Sequence, residues 1–361
     1  MVTILEGMPA GVPLDPSRID HELRRRQHGY GRGGRMMIER DTVQILSGVR
    51  RGHTMGGPIA MEIMNQDFSI DRLPVVTRPR PGHADLTGAL KYDQGDIRTI
   101  LERASARETA ARVAVGAVCR SFLGHFEVDL LSHVVRIGGI DARPPRTVAL
   151  GGLRRRVERS PLRCADPAAE RKMIRLIDDV KAAGDTVGGT IEVIVTGLPV
   201  GLGSHVHYDR KLDARIAGAL MSIQAMKAVE VGDGVGVSRV RGSELHDEIY
   251  YAPARGFYRK TSRGGGIEGG MTTGGPLILR IHMKPLSTLR RPLKSVDIKT
   301  KRPFVATVER SDVSAVPAAG VIAEAVVAFE LARAWLEKFG GDSLGETRRN
   351  WRAYLRQVRR F

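Results

Sequence analysis

The spacing of apolar residues predicts alternating strands and helices along most of the chain. Alternation of apolar and polar positions predicts strands at 57–65, 128–137, 190–196 and 277–283, and hairpins at 35–47 and 294–307. Apolar positions three and four residues apart predict helices at 98–123, 167–184, 212–223, 316–338 and 344–359. Asp166 before Pro167 is a typical helix start. The strand–strand–helix order favours α+β layers of helices and antiparallel sheets over a doubly wound parallel sheet.

Composition and charge narrow the class of protein. The chain has 361 residues, is 42% hydrophobic, and carries a formal net charge of +17. This composition is that of a globular protein, and the excess of basic residues indicates a partner that is nucleic acid or a small polyanion. Aromatic residues make up only 5%, which is few for stacking against single-stranded nucleic acid. We therefore favour a small polyanion over RNA, although basic segments at 24–35 and 348–360 keep RNA open as an alternative.

Other classes find little support in the sequence. The two cysteines, Cys119 and Cys164, are too few for a disulfide scaffold and suit a reducing cytoplasm. The longest apolar stretch, Val316 to Ala332, contains Glu324 and Glu330, so we expect a buried helix and no membrane segment. We find no linker or change in composition, and we expect one domain over 1–361.

A glycine-rich segment at 29–34 matches the pattern G-x-G-x-x-G but lacks its usual context. A dinucleotide-binding turn follows a hydrophobic strand and opens a helix. Here Arg24, Arg25 and Arg26 come before the segment, and a predicted hairpin follows it. We expect instead a flexible basic loop that carries Arg24, Arg25, Arg26, Arg32 and Arg35, which either clamps phosphates or is a solvated basic turn.

Five further segments are rich in groups that bind anions or transfer protons. His83 lies between a turn glycine and Asp85, where it could be a general acid or an ordinary surface histidine. A metal site at His83-x-Asp85 or His205-x-His207 lacks further ligands nearby, and we expect no metal. The others fit either ligand sites or ordinary polar or glycine-rich connections: 103–107 with two arginines around Ser105, 264–270 with five glycines, 284–288 with Lys284 and two hydroxyls, and 310–312 with Arg310 and Asp312.

Together these segments resemble the bacterial type of chorismate synthase over residues 3 to about 352. The likeness is carried by ordered blocks that include EGMPAGVPL (6–14), GYGRGGRM (29–36), SGVRRGHTMGGPIA (47–60), RPRPGHAD (78–85), LERASARETAARVA (101–114), GLPVGLGS (197–204), ALMSIQAMKAVEVGDG (219–234), GGGIEGGMTTGGPL (264–277), MKPLST (283–288) and ERSDVSAVPAAG (309–320).

The resemblance implies a fold, a reaction and partners. The family fold is a β-α-β sandwich with helices between antiparallel sheets, assembled as a homotetramer. The family converts 5-enolpyruvylshikimate 3-phosphate into chorismate and phosphate, a step towards aromatic amino acids, and needs reduced FMN without net redox change. Some members reduce the flavin with NADPH; nothing here resembles an added reductase domain, so an external source of reduced FMN is expected. Two anionic molecules in one site account for the arginines better than nucleic acid does.

The resemblance also assigns roles by matched position. His83 matches the histidine that protonates the reduced flavin, and Asp312 matches the acid near its reactive edge. Arg26 and Arg32 match positions for NADP(H) or for the substrate, and with Arg107 they would bind the substrate anions. The flavin-binding positions are Arg103, Ala104, Ser105, Gln224, Ala225, Gly270, Lys284, Pro285, Leu286, Ser287, Thr288 and Arg310.

One departure from the family pattern concerns the first residues. Family members carry Gly-Glu-Ser-His-Gly shortly before the block that begins at Glu6, whereas this sequence opens on Met1-Val2-Thr3. That histidine is the second catalytic histidine of the family. We expect a truncated N-terminal strand; the alternative is a member that binds FMN but is catalytically impaired.

Overall fold

The computed structural model describes residues 1–33, 40–66, 72–143, 150–309 and 311–361. Within these residues the chain forms helices and antiparallel sheets. The α-helices are α1 (Pro16–Gln27), α2 (Asp85–Lys91), α3 (Arg98–Arg103), α4 (Thr109–Gly124), α5 (Leu150–Arg159), α6 (Pro167–Ala182), α7 (Leu212–Met221), α8 (Gly242–Leu245), α9 (Val316–Phe339) and α10 (Leu344–Arg360). Short 3₁₀ helices lie at Ala106–Glu108, Tyr208–Arg210 and Gly234–Arg239.

The strands form two main sheets and several small ones. The strands are β1 (Val2–Leu5), β2 (Val43–Ile45), β3 (Val49–Arg50), β4 (His53–Thr54), β5 (Ile59–Ile63), β6 (Asp129–Ile137), β7 (Ile140–Asp141), β8 (Gly189–Thr196), β9 (Val200–Gly203), β10 (Met226–Val231), β11 (Ile249–Ala252), β12 (Gly256–Arg259), β13 (Ile267–Glu268), β14 (Met271–Thr273), β15 (Leu277–Met283), β16 (Lys294–Val296) and β17 (Pro303–Val305). The main sheets have the orders β1-β5-β2 and β10-β15-β8-β6-β7, and the small ones are β13-β14-β9, β11-β12, β16-β17 and β3-β4.

Helix α9 forms the centre of the molecule. It contacts β6 and β8 of the five-stranded sheet on one side and α4 and α1 on the other, and α4 in turn contacts β1 and β5. Because α9 is apolar around nearly its whole circumference, it can be buried from all sides. The approach of α4 is close: a Cβ on Gly116 would lie 2.3 Å from the Cβ of Ala325. This layering confirms the expected α+β fold, a β-α-β sandwich with helices between antiparallel sheets.

Most of the predicted elements are present at nearly the predicted positions. Strand β15 has the predicted bounds, and α9 ends one residue later than predicted. Asp166 caps α6 as expected, accepting hydrogen bonds from the amides of residues 168 and 169. The predicted hairpin at 294–307 is β16 and β17. The hairpin predicted at 35–47 lies partly outside the described residues, which include only β2 from that range.

Two predictions near the candidate site are wrong. Arg24, Arg25 and Arg26 do not belong to a flexible loop; they form the last turn of α1, and the latter two are buried. The helix predicted at 98–123 is two helices, α3 and α4, separated at residues 104–108. Ser105 causes the break, since its extended backbone and its Oγ, which accepts from the amide of Arg107 at 3.2 Å, begin a new turn.

A small lobe beside the sandwich carries His83. It consists of α2, α3 and the β16–β17 hairpin, and its core is formed by four buried residues, Val76, Ala89, Ile97 and Leu101. Hydrogen bonds join the hairpin to the segment before His83, from the amide of Ile298 to the carbonyl of Thr77 and between their neighbours. The lobe therefore holds the 76–85 segment from both sides.

In the part of the chain that the structure describes, we find no helix both long and apolar enough to cross a membrane.

Candidate active site

The end of α1 meets the turn before α4 in a cluster of arginines. Arg26, whose side chain is buried, donates from Nε to Thr109 Oγ1 at 2.9 Å and from Nη2 to the Ala106 carbonyl at 3.1 Å. Its Nη1 lies 3.3 Å from Oδ2 of the buried Asp41. Burial lowers the pKa of Arg26 to about 10, and Asp41 opposes part of that effect. Arg26 thus stays charged at neutral pH in a site that favours an additional anion.

Asp41 joins a second arginine to the same cluster. Arg107 Nη1 lies 2.6 Å from Asp41 Oδ1, and Arg107 Nε donates to Asn65 Oδ1 at 3.1 Å. The sequence pattern predicts Asp41 within a hairpin; in the structure it is a buried carboxylate between two guanidinium groups. No local pattern could have revealed this role, because the arginines come from two distant segments.

Arg32 and Asp312 form a third part of the cluster. Arg32 Nη1 lies 2.8 Å from Asp312 Oδ2, and the amide of Gly33 donates to Asp312 Oδ1 at 2.6 Å. Burial lowers the pKa of Arg32, and the carboxylate of Asp312 opposes the shift. The amide of Val313 also donates to the Gly31 carbonyl at 2.8 Å, so the glycine-rich loop is tied to the segment before α9.

His83 lies in a second cluster, on a loop that is tied to residues 284–288. Lys284 Nζ and Ser287 Oγ both donate to the Gly82 carbonyl, at 2.5 and 2.8 Å. Arg80 Nη1 donates to Thr288 Oγ1 at 2.6 Å. These bonds connect the candidate general acid to the segment that the resemblance assigns to the flavin.

Residues 108 and 224–225 bridge the two clusters. Glu108 comes from the turn that holds Arg107, and its Oε1 accepts from Gln224 Nε2 at 2.6 Å. The carbonyl of Ala225 accepts from the amide of Lys284 at 3.0 Å. Ala225 has φ of +67°, a left-handed conformation that is costly for a residue with a Cβ and that is found at functional sites.

The structure brings together most, but not all, of the residues named from the sequence. Arg103 is exposed at the end of α3, and Arg310 lies outside the described residues. Gly270 packs against Lys211, and its carbonyl accepts from the amide of Leu212. The close neighbours of Gly265 and Gly266 are likewise protein backbone, at 2.3 and 2.2 Å from the position that a Cβ would take. The glycines at 264–270 are therefore explained in part by protein packing.

Comparisons with known proteins point to a single family. A family model described as chorismate synthase matches residues 1–336. The chain is 55% identical to the chorismate synthase of Symbiobacterium thermophilum and 55% identical to that of Geobacter sulfurreducens; each match spans the whole chain and 96% of the relative. It is 51% identical to chorismate synthase 1 of Bacillus thuringiensis, over the whole chain and 97% of the relative.

A solved structure gives the same result for the fold. The crystal structure of a chorismate synthase matches with a TM-score of 0.83 and 42% sequence identity, covering the whole of this chain and 95% of that one. The chain belongs to the chorismate synthase family.

Proposed function

We propose that this chain catalyses the elimination of phosphate from 5-enolpyruvylshikimate 3-phosphate to give chorismate, with Arg26, Arg32 and Arg107 binding the substrate anions. The observation that carries the proposal is the arginine cluster around Asp41. Arg26 and Arg107 share the carboxylate of Asp41, and burial lowers the pKa of Arg26 and of Arg32, so a further anion would stabilise their positive charge. A phosphate or carboxylate of the substrate would balance that charge.

The residues between the two clusters suit a flavin. The side-chain amide of Gln224 donates from Nε2 to Glu108, so that the Oε1 atom of Gln224 is turned away from Glu108. Within the described residues, this buried Gln224 oxygen has no hydrogen-bond partner. Such an acceptor fits a donor group of FMN. Ser105, Ala225 and the 284–288 segment would hold the cofactor, together with Arg103, Ala104, Gly270 and Arg310 where family position assigns them. When bound, reduced FMN supplies an electron-rich partner that assists departure of the phosphate without net redox change.

The residues of the chain then have separate tasks. The arginines neutralise the phosphate as its charge increases on leaving. His83 holds a proton on its ring, and Asp312, already oriented by Arg32 and Gly33, is a carboxylate that accepts and returns a proton. Leu286 positions the 284–288 segment by packing against the core, and its carbonyl accepts from Thr186 Oγ1 at 2.7 Å, whereas Pro285 is exposed.

Anaerobic formation of chorismate from 5-enolpyruvylshikimate 3-phosphate with chemically reduced FMN tests the proposal. We expect turnover by the unmodified chain and a loss of at least about 100-fold in kcat for His83→Ala and for Asp312→Ala. His246→Ala is a matched control, since His246 lies in the turn that follows α8, and it should leave kcat unchanged. Undiminished activity of both site variants would refute the assigned roles.

The same assay tests the source of the reduced flavin and the alternative of an impaired enzyme. Replacing reduced FMN with oxidised FMN and NADPH shows whether the chain reduces its own flavin; we expect it to need the external reductant. The impaired-enzyme alternative is not supported by relatives that carry the family name at 51–56% identity. It would require flavin binding with no turnover.

We also propose that residues 1–361 act as a single domain in a cytoplasmic homotetramer. The extensive shared core around α9, which draws side chains from Leu5 through Leu344, supports a single domain. Light scattering should give four times the 39.4 kDa chain mass. A monomeric mass would refute the tetramer without affecting the assignment of the site.

A further inference from the structure

Asp85 is the carboxylate of the His83 loop, and hydrogen-bond donors surround it. It is fully buried, at the first residue of α2. Its Oδ2 accepts from the amide and from Nε of Arg80, each at 2.9 Å, and its Oδ1 accepts from Arg80 Nη2 at 3.1 Å. The fourth contact is with His83, whose Nδ1 lies 2.5 Å from Oδ1.

The ionisation of Asp85 settles which atom carries the proton in that contact. Burial alone would raise the pKa of Asp85, but the hydrogen bonds from His83 and Arg80 lower it to a greater extent. The carboxylate is therefore charged at neutral pH and can only accept hydrogen bonds. An acceptor 2.5 Å from Nδ1 requires that Nδ1 carry the hydrogen, because two lone pairs at that distance would repel each other.

Arg80 places a positive charge beside the His83 ring, opposite in sign to that of Asp85. Its Nη2 lies 3.1 Å from Nδ1 and 3.4 Å from Nε2 of His83, so a positive charge lies against the imidazole. Lys284, bound to the Gly82 carbonyl, adds a second cation beside the loop. Among the described residues, Asp85 is the anion in direct contact with the ring, and it offsets these cations when the imidazole is protonated.

We propose that Asp85 is a positioning residue that keeps the proton of His83 on Nδ1 and leaves Nε2 as the atom that takes up and releases the transferable proton. The inference rests on the proposed function in one respect, since it supposes that His83 is the proton donor. The protonated ring gives up the Nε2 proton and becomes the neutral Nδ1–H form, which Asp85 continues to hold.

Nitrogen NMR of the histidine-labelled full chain tests the tautomer without an activity assay. The His83 signals are identified by their absence in His83→Gln. We expect Nδ1 to carry the hydrogen in the neutral ring of the unmodified chain. A neutral ring protonated on Nε2 would overturn the inference, whatever the activity.

Asp85→Asn tests the consequence for turnover. The new amide can donate to Nδ1 and so reverse the tautomer, and the charge that offsets Arg80 is lost. We expect kcat to fall at least about 100-fold with a smaller change in KM, and the alkaline limb of the kcat–pH profile to move to lower pH. Asp297→Asn is the matched control, because Asp297 is in the same lobe and bonds Thr77, not His83; its pH profile should not move.

The outcomes separate this inference from the proposed function. Full activity in His83→Ala would refute the role of His83 as proton donor but would not touch the tautomer measured by NMR. Conversely, an inactive His83→Ala with an unshifted pH profile and an unchanged tautomer in Asp85→Asn would refute the role of Asp85 alone.

Discussion

Two neighbouring arginines on the last turn of α1 enter two buried ionic clusters of different character. Arg25 donates to Glu324, Glu22 and Glu158, with its closest contacts at 2.8, 2.5 and 2.8 Å. Burial lowers the pKa of Arg25, but these carboxylates raise it by more. For Arg26 burial prevails, and the pKa falls to about 10.

The difference lies in the balance of charge and hydrogen bonds. Glu324 is fully buried, contacts Arg25, Arg120 and Arg163, and accepts from both the amide and the hydroxyl of Ser132 at 2.7 Å. With Glu22 and Glu158 the three guanidinium groups meet three carboxylates. Around Asp41 the neighbouring carboxylates do not offset the burial of Arg26, whereas Glu324, Glu22 and Glu158 do so for Arg25. A balanced cluster holds helices together, whereas an unbalanced one is suited to bind an anion.

The largest expected effect is the loss of stability when the balanced cluster around Glu324 is broken. Glu324→Gln removes the buried carboxylate shared by Arg25, Arg120 and Arg163, and we expect a loss of about 3–5 kcal/mol in the free energy of unfolding, measured in urea. Glu337→Gln is the control, since Glu337 pairs with Arg210 and Arg215 nearer the surface, and it should cost about 0–1 kcal/mol. Equal losses in the two variants would contradict the structural role of Glu324.

The next expected effect is a smaller loss of stability, in the cluster around Asp41, which phosphate should partly restore. Asp41→Asn leaves Arg26 and Arg107 without their shared anion, which we expect to cost about 1–3 kcal/mol. Inorganic phosphate should restore part of this stability by binding the cluster, raising the melting temperature more than chloride does at equal ionic strength. The same phosphate should not rescue Glu324→Gln, whose cluster is enclosed. Equal rescue of both variants would mean that the two clusters do not differ as proposed.

The sequence predicts the framework of the molecule better than it predicts these clusters. Helix α9 and strand β15 are long and strongly periodic, so their apolar spacing is sufficient. Helix α1 is missed by this criterion because its buried face includes Arg25 and Arg26, which interrupt the apolar pattern. Its start signal, Asp15 before Pro16, is nevertheless the same kind of signal that correctly predicts α6.

The candidate site is predictable only where its residues are neighbours in the sequence. His83 and Asp85 are two residues apart, and their pairing could be suggested from the segment alone. Asp41 meets Arg26 and Arg107 only because α1, the segment before β2 and the turn before α4 converge in the fold. Partners that come from distant segments leave no local signal, and the resemblance to a family did not name Asp41 either.

A conservative exchange at each arginine sharpens the comparison. Lysine keeps the charge but cannot form the paired contacts of a guanidinium group. We expect Arg26→Lys to raise the KM for 5-enolpyruvylshikimate 3-phosphate about tenfold, which corresponds to about 1.4 kcal/mol. Arg25→Lys should lower the melting temperature but leave KM within about twofold. Steady-state kinetics and thermal unfolding of both variants check this, and a higher KM for Arg25→Lys than for Arg26→Lys would contradict it.

The smallest expected effect is a change in unfolding free energy at acidic pH. Burial would raise the pKa of Glu324, but Arg25, Arg120 and Arg163 hold it well below its ordinary value of 4.5. The unfolded chain therefore takes up this proton at a higher pH than the folded chain, so the stability contributed by Glu324 is present above pH 4.5 and is lost as the pH falls through the lower folded value. We expect the difference in unfolding free energy between the unmodified chain and Glu324→Gln to shrink below pH 4.5. Urea titrations at a series of pH values measure it, and a difference that stays constant down to about pH 3 would show that the charge of Glu324 is not what stabilises its cluster.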